Sequence, residues 1–374
     1  MISMNDIEHN FPISESENGP GNTLLDGALS DTTEILTDTE SQKKIAASPE
    51  YPLEKRLEAY EDIFESQVGD TALNRARNIE REIGLHQIFL KFEGGNPTGT
   101  QKDRIAFAQA MDALRRGFDA ITVATCGNYG VAVALAAYLA GLRCYIYIPE
   151  TYHTRRVAEI EKLGARILRA TGDYEHAVSV SQQMASEDEI YDANPGGENT
   201  AIQLMAYGEI AYEIYDVLRD APAAVSVPVS NGTTCAGIHR GFVSLYRRGK
   251  TSRIPKIIAG SAFKKNPIVQ AYLKNMPKCE DLSAEQIQET RVNEPLINWH
   301  SIDGDHALNA IRSSGGFAAY MSDRSMTYYA RIIREQEGMN VLPASTAGLI
   351  ALVSAHRANP LPNDRYVAII TGRK

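Results

Sequence analysis

Three short segments of this 374-residue chain gather residues able to do chemistry. The first is Lys91-Phe-Glu-Gly-Gly-Asn-Pro-Thr-Gly-Thr-Gln-Lys-Asp-Arg104, where a strand-like stretch meets a Gly-Asn-Pro-Thr-Gly turn and Lys102 opens a helix-like run. A helix N-terminus already carries partial positive charge, so an ammonium is poorly placed there and its pKa should fall. That suits a nucleophilic or imine-forming lysine, although from position alone a turn bearing a solvated lysine is the simpler reading. The second segment, Ala124-Thr-Cys-Gly-Asn-Tyr-Gly130, has glycines that let backbone N–H groups face a carboxylate or phosphate. Asn128 there is either a ligand donor or an ordinary helix cap. Cys126 sits where a thiol pKa falls, but no histidine can be assigned as its base. The third segment is Val227-Pro-Val-Ser-Asn-Gly-Thr-Thr-Cys-Ala-Gly237, an apolar strand entering a turn rich in hydroxyls, the layout of an anion cradle. It lacks the lysine of a nucleotide-hydrolysing loop and the GxGxxG spacing of a dinucleotide site.

The elements that must position these segments alternate in type. Apolar strand-like runs are predicted at 86–93, 120–124, 144–148, 165–169, 224–229, 257–261 and 366–370. Helical spacing is predicted at 103–116, 130–140, 154–163, 174–186, 201–218, 235–248, 325–337 and 345–355. Such alternation implies largely parallel sheets covered by helices, with ligands at the carboxyl ends of strands. All three chemical segments lie there.

Length suggests two domains of roughly 150 residues each. The net charge is −9, and residues 1–42 hold nine acids (Asp6, Glu8, Glu15, Glu17, Asp26, Asp31, Glu34, Asp38, Glu40) and no Lys or Arg. Removing those nine from the 47 acids leaves as many acids as the 38 bases. Residues 1–45 therefore read as an acidic, disordered tail on a neutral body. A nucleic-acid partner is not expected without a basic footprint. Nor is a membrane, since the longest nearly apolar run, Val131 to Leu142, is shorter than the roughly 18 residues a span requires. No secretory signal is recognised, and the cytoplasm is the expected compartment. Cys126, Cys144, Cys235 and Cys279 show no paired spacing, so neither a metal site nor a disulfide framework is expected. His153, His239, Trp299 and the Tyr145-Ile-Tyr147 stretch read as structural, and Arg155 and Arg156 as a solvated helix start.

Taken in order, the segments resemble those of fold-type II pyridoxal-phosphate enzymes, most of all threonine synthases, over about Tyr51 to Lys374. The resemblance implies a tryptophan synthase β-like α/β fold of two domains, each an open, mostly parallel sheet flanked by helices. Residues 46–103 and 192–374 would form the larger, cofactor-binding domain and 104–191 a smaller mobile one. Lys102 would be the catalytic Schiff-base lysine. Thr125, Cys126, Gly127, Asn128 and Tyr129 would bind the substrate, with Asn128 beside the cofactor's phenolic oxygen. Ser230, Asn231, Gly232, Thr233, Thr234 and Cys235 would hold the phosphate. Pro343-Ala-Ser-Thr346 also matches, and Ile370-Thr-Gly372 would set Thr371 against the pyridine nitrogen. The cofactor implied is pyridoxal 5'-phosphate, the substrate an amino acid and the assembly a homodimer. The implied reaction is a lyase-type conversion of O-phosphohomoserine to threonine and phosphate.

The sequence also departs from that pattern. Tyr129 stands where a small hydroxyl residue is usual, Asn231-Gly-Thr-Thr is less glycine-rich, and Asn194 to Glu209 is longer and lacks a basic residue often found there. These departures leave open β-replacement or dehydration of a serine or threonine derivative, as in cysteate synthase, cysteine synthase or threonine dehydratase. A non-catalytic cofactor- or amino-acid-binding protein is the reading from another class. A nicotinamide oxidoreductase would need an early glycine fingerprint, which is not found.

Overall fold

The computed structural model describes residues 35–125, 127–150 and 156–374. Ten strands among these residues form two sheets. They are β1 (Leu73–Arg75), β2 (Ile88–Phe92), β3 (Ala120–Ala124), β4 (Arg143–Pro149), β5 (Arg166–Ala170), β6 (Tyr191–Asp192), β7 (Ala224–Pro228), β8 (Lys256–Ala262), β9 (Phe317–Met321) and β10 (Tyr366–Ile370). The larger sheet has the order β1-β2-β10-β7-β8-β9 and the smaller β5-β4-β3-β6. Only the short edge strand β1 runs antiparallel to its neighbour. Every residue of β3, β7 and β10 is buried, as expected for parallel strands with helices on both faces.

The helices that matter most are close-packed. Asn128–Ala140 is built largely of Ala, Val and Leu and buries eleven of its residues. Thr200–Leu218 lies so near Thr233–Arg247 that a Cβ on Gly241 would sit 2.4 Å from the Gly208 carbonyl oxygen. No helix among the described residues is long and apolar enough to cross a membrane.

The acidic stretch does not stay undocked as far as residue 45. Glu40–Ala46 is a helix, and Ile35, Thr39 and Ala46 are buried. The Lys43 ammonium lies 3.3 Å from the centre of the Tyr138 ring. Composition alone missed this because the buried positions are few and widely spaced.

Candidate active site

The lysine turn is fixed before Lys102 is reached. Asn96 accepts from the Gly69 N–H and donates to the Glu93 carbonyl, at 3.0 and 2.9 Å. The N–H and hydroxyl of Thr98 both donate to Asp103, at 2.9 and 2.8 Å. Burial pushes the Asp103 carboxyl up to about 7 against the pull of those two donors. Gly99 has φ +87°, and a Cβ there would strike the Arg373 side chain at 2.9 Å. The turn is tied to the end of β10 by the Gln101 N–H on the Thr371 carbonyl and the Arg373 N–H on that of Gly99.

Lys102 is thereby held as the first residue of the Lys102–Arg115 helix, lining a crevice. Its amine is 5.4 Å from the centre of the Tyr129 ring and has no hydrogen-bond or ion-pair partner among the described residues. Loss of solvent lowers its pKa to about 8, and the Asp303 carboxylate opposes part of that fall. The direction is the one expected from sequence, and its leading cause is desolvation.

Asn128 is the described residue of the second segment that lines the crevice. Thr125 is buried and its Oγ1 accepts from the Gly127 N–H, closing its own loop. The Tyr129 hydroxyl turns into the interior. It is buried and meets the Ala193 carbonyl at 2.7 Å and Gln109 Oε1, so what Tyr129 turns towards Lys102 is the ring face. A phenol is long enough to reach interior acceptors that a small hydroxyl residue could not. Cys126, His153 and Arg155 lie outside the described residues. Arg156 is not the solvated residue expected from sequence: it donates to Asn128, Glu159 and the Thr98 carbonyl.

Ser230, Asn231, Gly232, Thr233, Thr234 and Cys235 all line the crevice between β7 and the Thr233–Arg247 helix. Gly232 has φ +97°, and a Cβ would lie 2.8 Å from Ala307 Cβ and 2.9 Å from the Asp303 carbonyl oxygen. A backbone cradle of this shape at a helix N-terminus suits a phosphate. It is held from beneath by Asn266 on the Ser230 carbonyl, Asn298 on Asn231 Oδ1 and the Asp303 N–H on the Asn231 carbonyl. Thr233 donates its hydroxyl to Asp303 at 2.5 Å, so its main-chain N–H is what it can offer an anion. Burial pushes the Cys235 thiol up to about 12, which rules out a resting thiolate.

Asp303 was missed by sequence reasoning. Its only local signal is a place just ahead of the Gly304–Ser313 helix, yet it is buried and also accepts from Thr200 at 3.1 Å. Ser345 was visible only as part of a matching segment. Its hydroxyl lies 3.0 Å from that of Thr371, and both line the crevice.

The crevice has a volume of about 720 Å3, part of it open to solvent. It brings together an amine of lowered pKa that has no partner among the described residues, an amide, a backbone anion cradle and a pair of hydroxyls. A pyridine ring bearing an aldehyde and a phosphate would fit these groups: Lys102 could take the aldehyde, the Gly232 cradle the phosphate, and Ser345 with Thr371 a ring nitrogen.

Comparison with known proteins agrees with that fit. A family model described as pyridoxal-phosphate dependent enzyme matches residues 64–372. Threonine synthase of Methanocaldococcus jannaschii is 30% identical over 307 residues, which is 81% of this chain and 74% of that protein. Threonine synthase of Methanosarcina acetivorans is 28% identical over 350 residues, 93% of this chain and 84% of the relative. Among solved structures, maize serine racemase superposes with a TM-score of 0.70 at 19% identity, covering 85% of this chain and 92% of that one. Threonine deaminase isoform 2 of Solanum lycopersicum gives 0.70 at 16% identity, covering 98% and 95%. These two likenesses concern the fold. The chain belongs to the pyridoxal-phosphate dependent enzyme family and is a threonine synthase-like member of its fold-type II branch.

Proposed function

We propose that the protein catalyses a threonine synthase-type reaction, converting O-phosphohomoserine and water to threonine and phosphate. The observation that carries this reading is the Lys102 amine, lowered to about 8, facing a crevice that also presents Asn128, the Gly232 cradle and the Ser345–Thr371 pair. When bound, pyridoxal phosphate supplies an aldehyde that joins amino groups and a ring that withdraws electrons from the substrate's α-carbon. Lys102 Nζ would hold that aldehyde in the absence of substrate and would move protons at the substrate's α-carbon as a general base. The free backbone N–H groups at the start of the Asn128–Ala140 helix hold the substrate carboxylate, which aligns the C–H bond to be broken. Ser345 and Thr371 offer hydroxyls to the ring nitrogen. Unlike a carboxylate they cannot stabilise a full positive charge there, which favours elimination and replacement over transamination.

Residues 104–191 would act as the lobe that closes over the substrate, and two copies would pair as a homodimer in the cytoplasm. One observation favours a second reading, β-replacement or dehydration of a serine or threonine derivative. Among the described lining residues Lys102 is the one cationic side chain, so a phosphate leaving group meets no guanidinium there. The test is a spectral screen of the holoenzyme with phosphohomoserine, phosphoserine, O-acetylserine, serine and threonine, followed by product analysis. A change confined to phosphohomoserine, with threonine formed, is expected. A response to O-acetylserine or serine alone would replace the first reading with the second. Binding of the cofactor without response to any amino acid would favour a binding protein.

A further inference from the structure

Arg156 stands one residue ahead of the Val157–Lys162 helix, with its side chain 18% exposed. Its guanidinium is committed on three sides. Nη2 and Nε reach Glu159 at 2.8 and 3.2 Å, Nη2 reaches the Thr98 carbonyl at 3.2 Å, and Nη1 donates to Asn128 Oδ1 at 2.6 Å. Three segments are thereby joined: the lysine turn through Thr98, the anion loop through Asn128, and the helix that follows Arg156.

A carboxamide has an acceptor end and a donor end that differ little in shape. Which end faces a crevice decides whether the crevice attracts an oxyanion or a donor. Arg156 is donor-only, so the Asn128 oxygen must turn towards it. The amide N–H2 is then left for the side that lines the crevice beside Lys102. A charge-assisted bond to the oxygen also polarises the N–H bonds on the other end. We propose that Arg156 is a positioning residue, fixing Asn128 as a hydrogen-bond donor to an oxyanion in the crevice. The proposal rests on the pyridoxal-phosphate reading of the site. The oxyanion is either the cofactor's phenolic oxygen or the substrate's carboxylate.

Full-length wild type, R156A, R156K, N128A and R156A/N128A separate these possibilities. Cofactor affinity is read by titrating the apoprotein with pyridoxal phosphate. Substrate affinity is read from the amino-acid concentration that gives half the spectral change. R156A should lose about tenfold or more in one arm, the magnitude of a charged hydrogen bond. N128A should lose in the same arm, and the double variant should lose no more than N128A. Loss in the first arm identifies the cofactor oxygen, and loss in the second the carboxylate. If R156A folds poorly, R156K carries the test. One ammonium cannot serve Glu159, Thr98 and Asn128 together, so a loss of about threefold or more in the same arm is expected. Wild-type values for the folded arginine variants, or an R156A loss that persists undiminished in the N128A background, overturn the proposal. Failure of wild type to bind pyridoxal phosphate would instead bring down the functional reading, and this proposal with it.

Discussion

In the unfolded chain Lys102 ionises near 10.5, whereas in the crevice loss of solvent lowers it to about 8. Below pH 8 both states carry the ammonium, and the fold bears the full cost of keeping it desolvated. Between 8 and 10.5 the folded amine is already neutral and the cost shrinks; above 10.5 it is gone. Lys102→Met in the cofactor-free protein should therefore be more stable at pH 7, by about 1–2 kcal/mol after allowing for the solvent that reaches the crevice. The gain should fade as the pH approaches 10.5, and melting curves at several pH values would read it. Equal stability at pH 7 would mean that the ammonium is solvated and the amine is not poised. At this scale the sequence was legible where chemistry is local. Lys102, Asn128, Ser230 to Cys235 and Thr371 are strand-end residues, and all of them line one crevice. Asp303 and Arg156 were not legible, because their roles depend on Thr233 and Asn128, 70 and 28 residues away. The direction of the Tyr129 hydroxyl was not legible for the same reason: it is set by the interior carbonyl of Ala193, 64 residues on.

Between elements, the helix carrying Lys102 is anchored by a buried ion cluster. Arg104 Nε reaches Glu93 at 2.6 Å and Nη1 reaches Glu213 at 2.6 Å, while Lys91 joins Glu213 and the Thr71 carbonyl. This binds the end of β2, the Lys102–Arg115 helix and Thr200–Leu218 into one unit. Burial alone would raise the Glu213 pKa, but the hydrogen bond and charge of Arg104, with Lys91, hold it down at about 2. The contribution is thus present above pH 4.5 and is lost as the pH falls towards 2. Arg104→Ala leaves the buried Glu93 carboxylate without its cation and takes one of two from Glu213, and should cost about 3–5 kcal/mol in urea unfolding at pH 7. Glu213→Gln should show a shallower loss of stability than wild type between pH 4.5 and 2. A small effect of Arg104→Ala would mean that water enters and replaces the guanidinium. The cluster was invisible as a unit in sequence, since ion pairing across 109 residues leaves no periodic trace. Period and apolarity did mark most of the buried elements: β3 and β10, for instance, fall at 120–124 and 366–370, as predicted. They failed for β1 and β6, with three and two residues, and for Pro267–Leu273, whose seven residues are too few to establish a helical period. Leu53–Gln67 escaped notice because it buries only Ala59, Tyr60 and Ile63 among many charged residues.

Across the whole molecule, residues 35–47 pack on the smaller sheet's helices and not on the crevice. Ile35 and Ala46 are buried there, and Arg56 donates to the Ala46 carbonyl at 2.9 Å. Gly141 at the end of the Asn128–Ala140 helix approaches so closely that a Cβ would lie 2.4 Å from the Ala47 Cα. Deleting residues 1–47 would expose this face. Burial of one aliphatic side chain contributes about 1.5–3 kcal/mol, and ordering the docked residues offsets part of it. The truncated protein should therefore melt several degrees lower, at about 2–4 °C per kcal/mol lost for a chain of this size. The crevice lining begins at Thr100 and ends at Thr371, so pyridoxal-phosphate affinity at 25 °C should stay within about twofold of wild type. Differential scanning calorimetry and cofactor titration on the same preparation would check both halves. An unchanged melting temperature would mean that the docked contacts only balance their ordering entropy. A lower affinity for cofactor or amino acid, in protein still folded at the assay temperature, would instead give the acidic segment a part in closing the crevice.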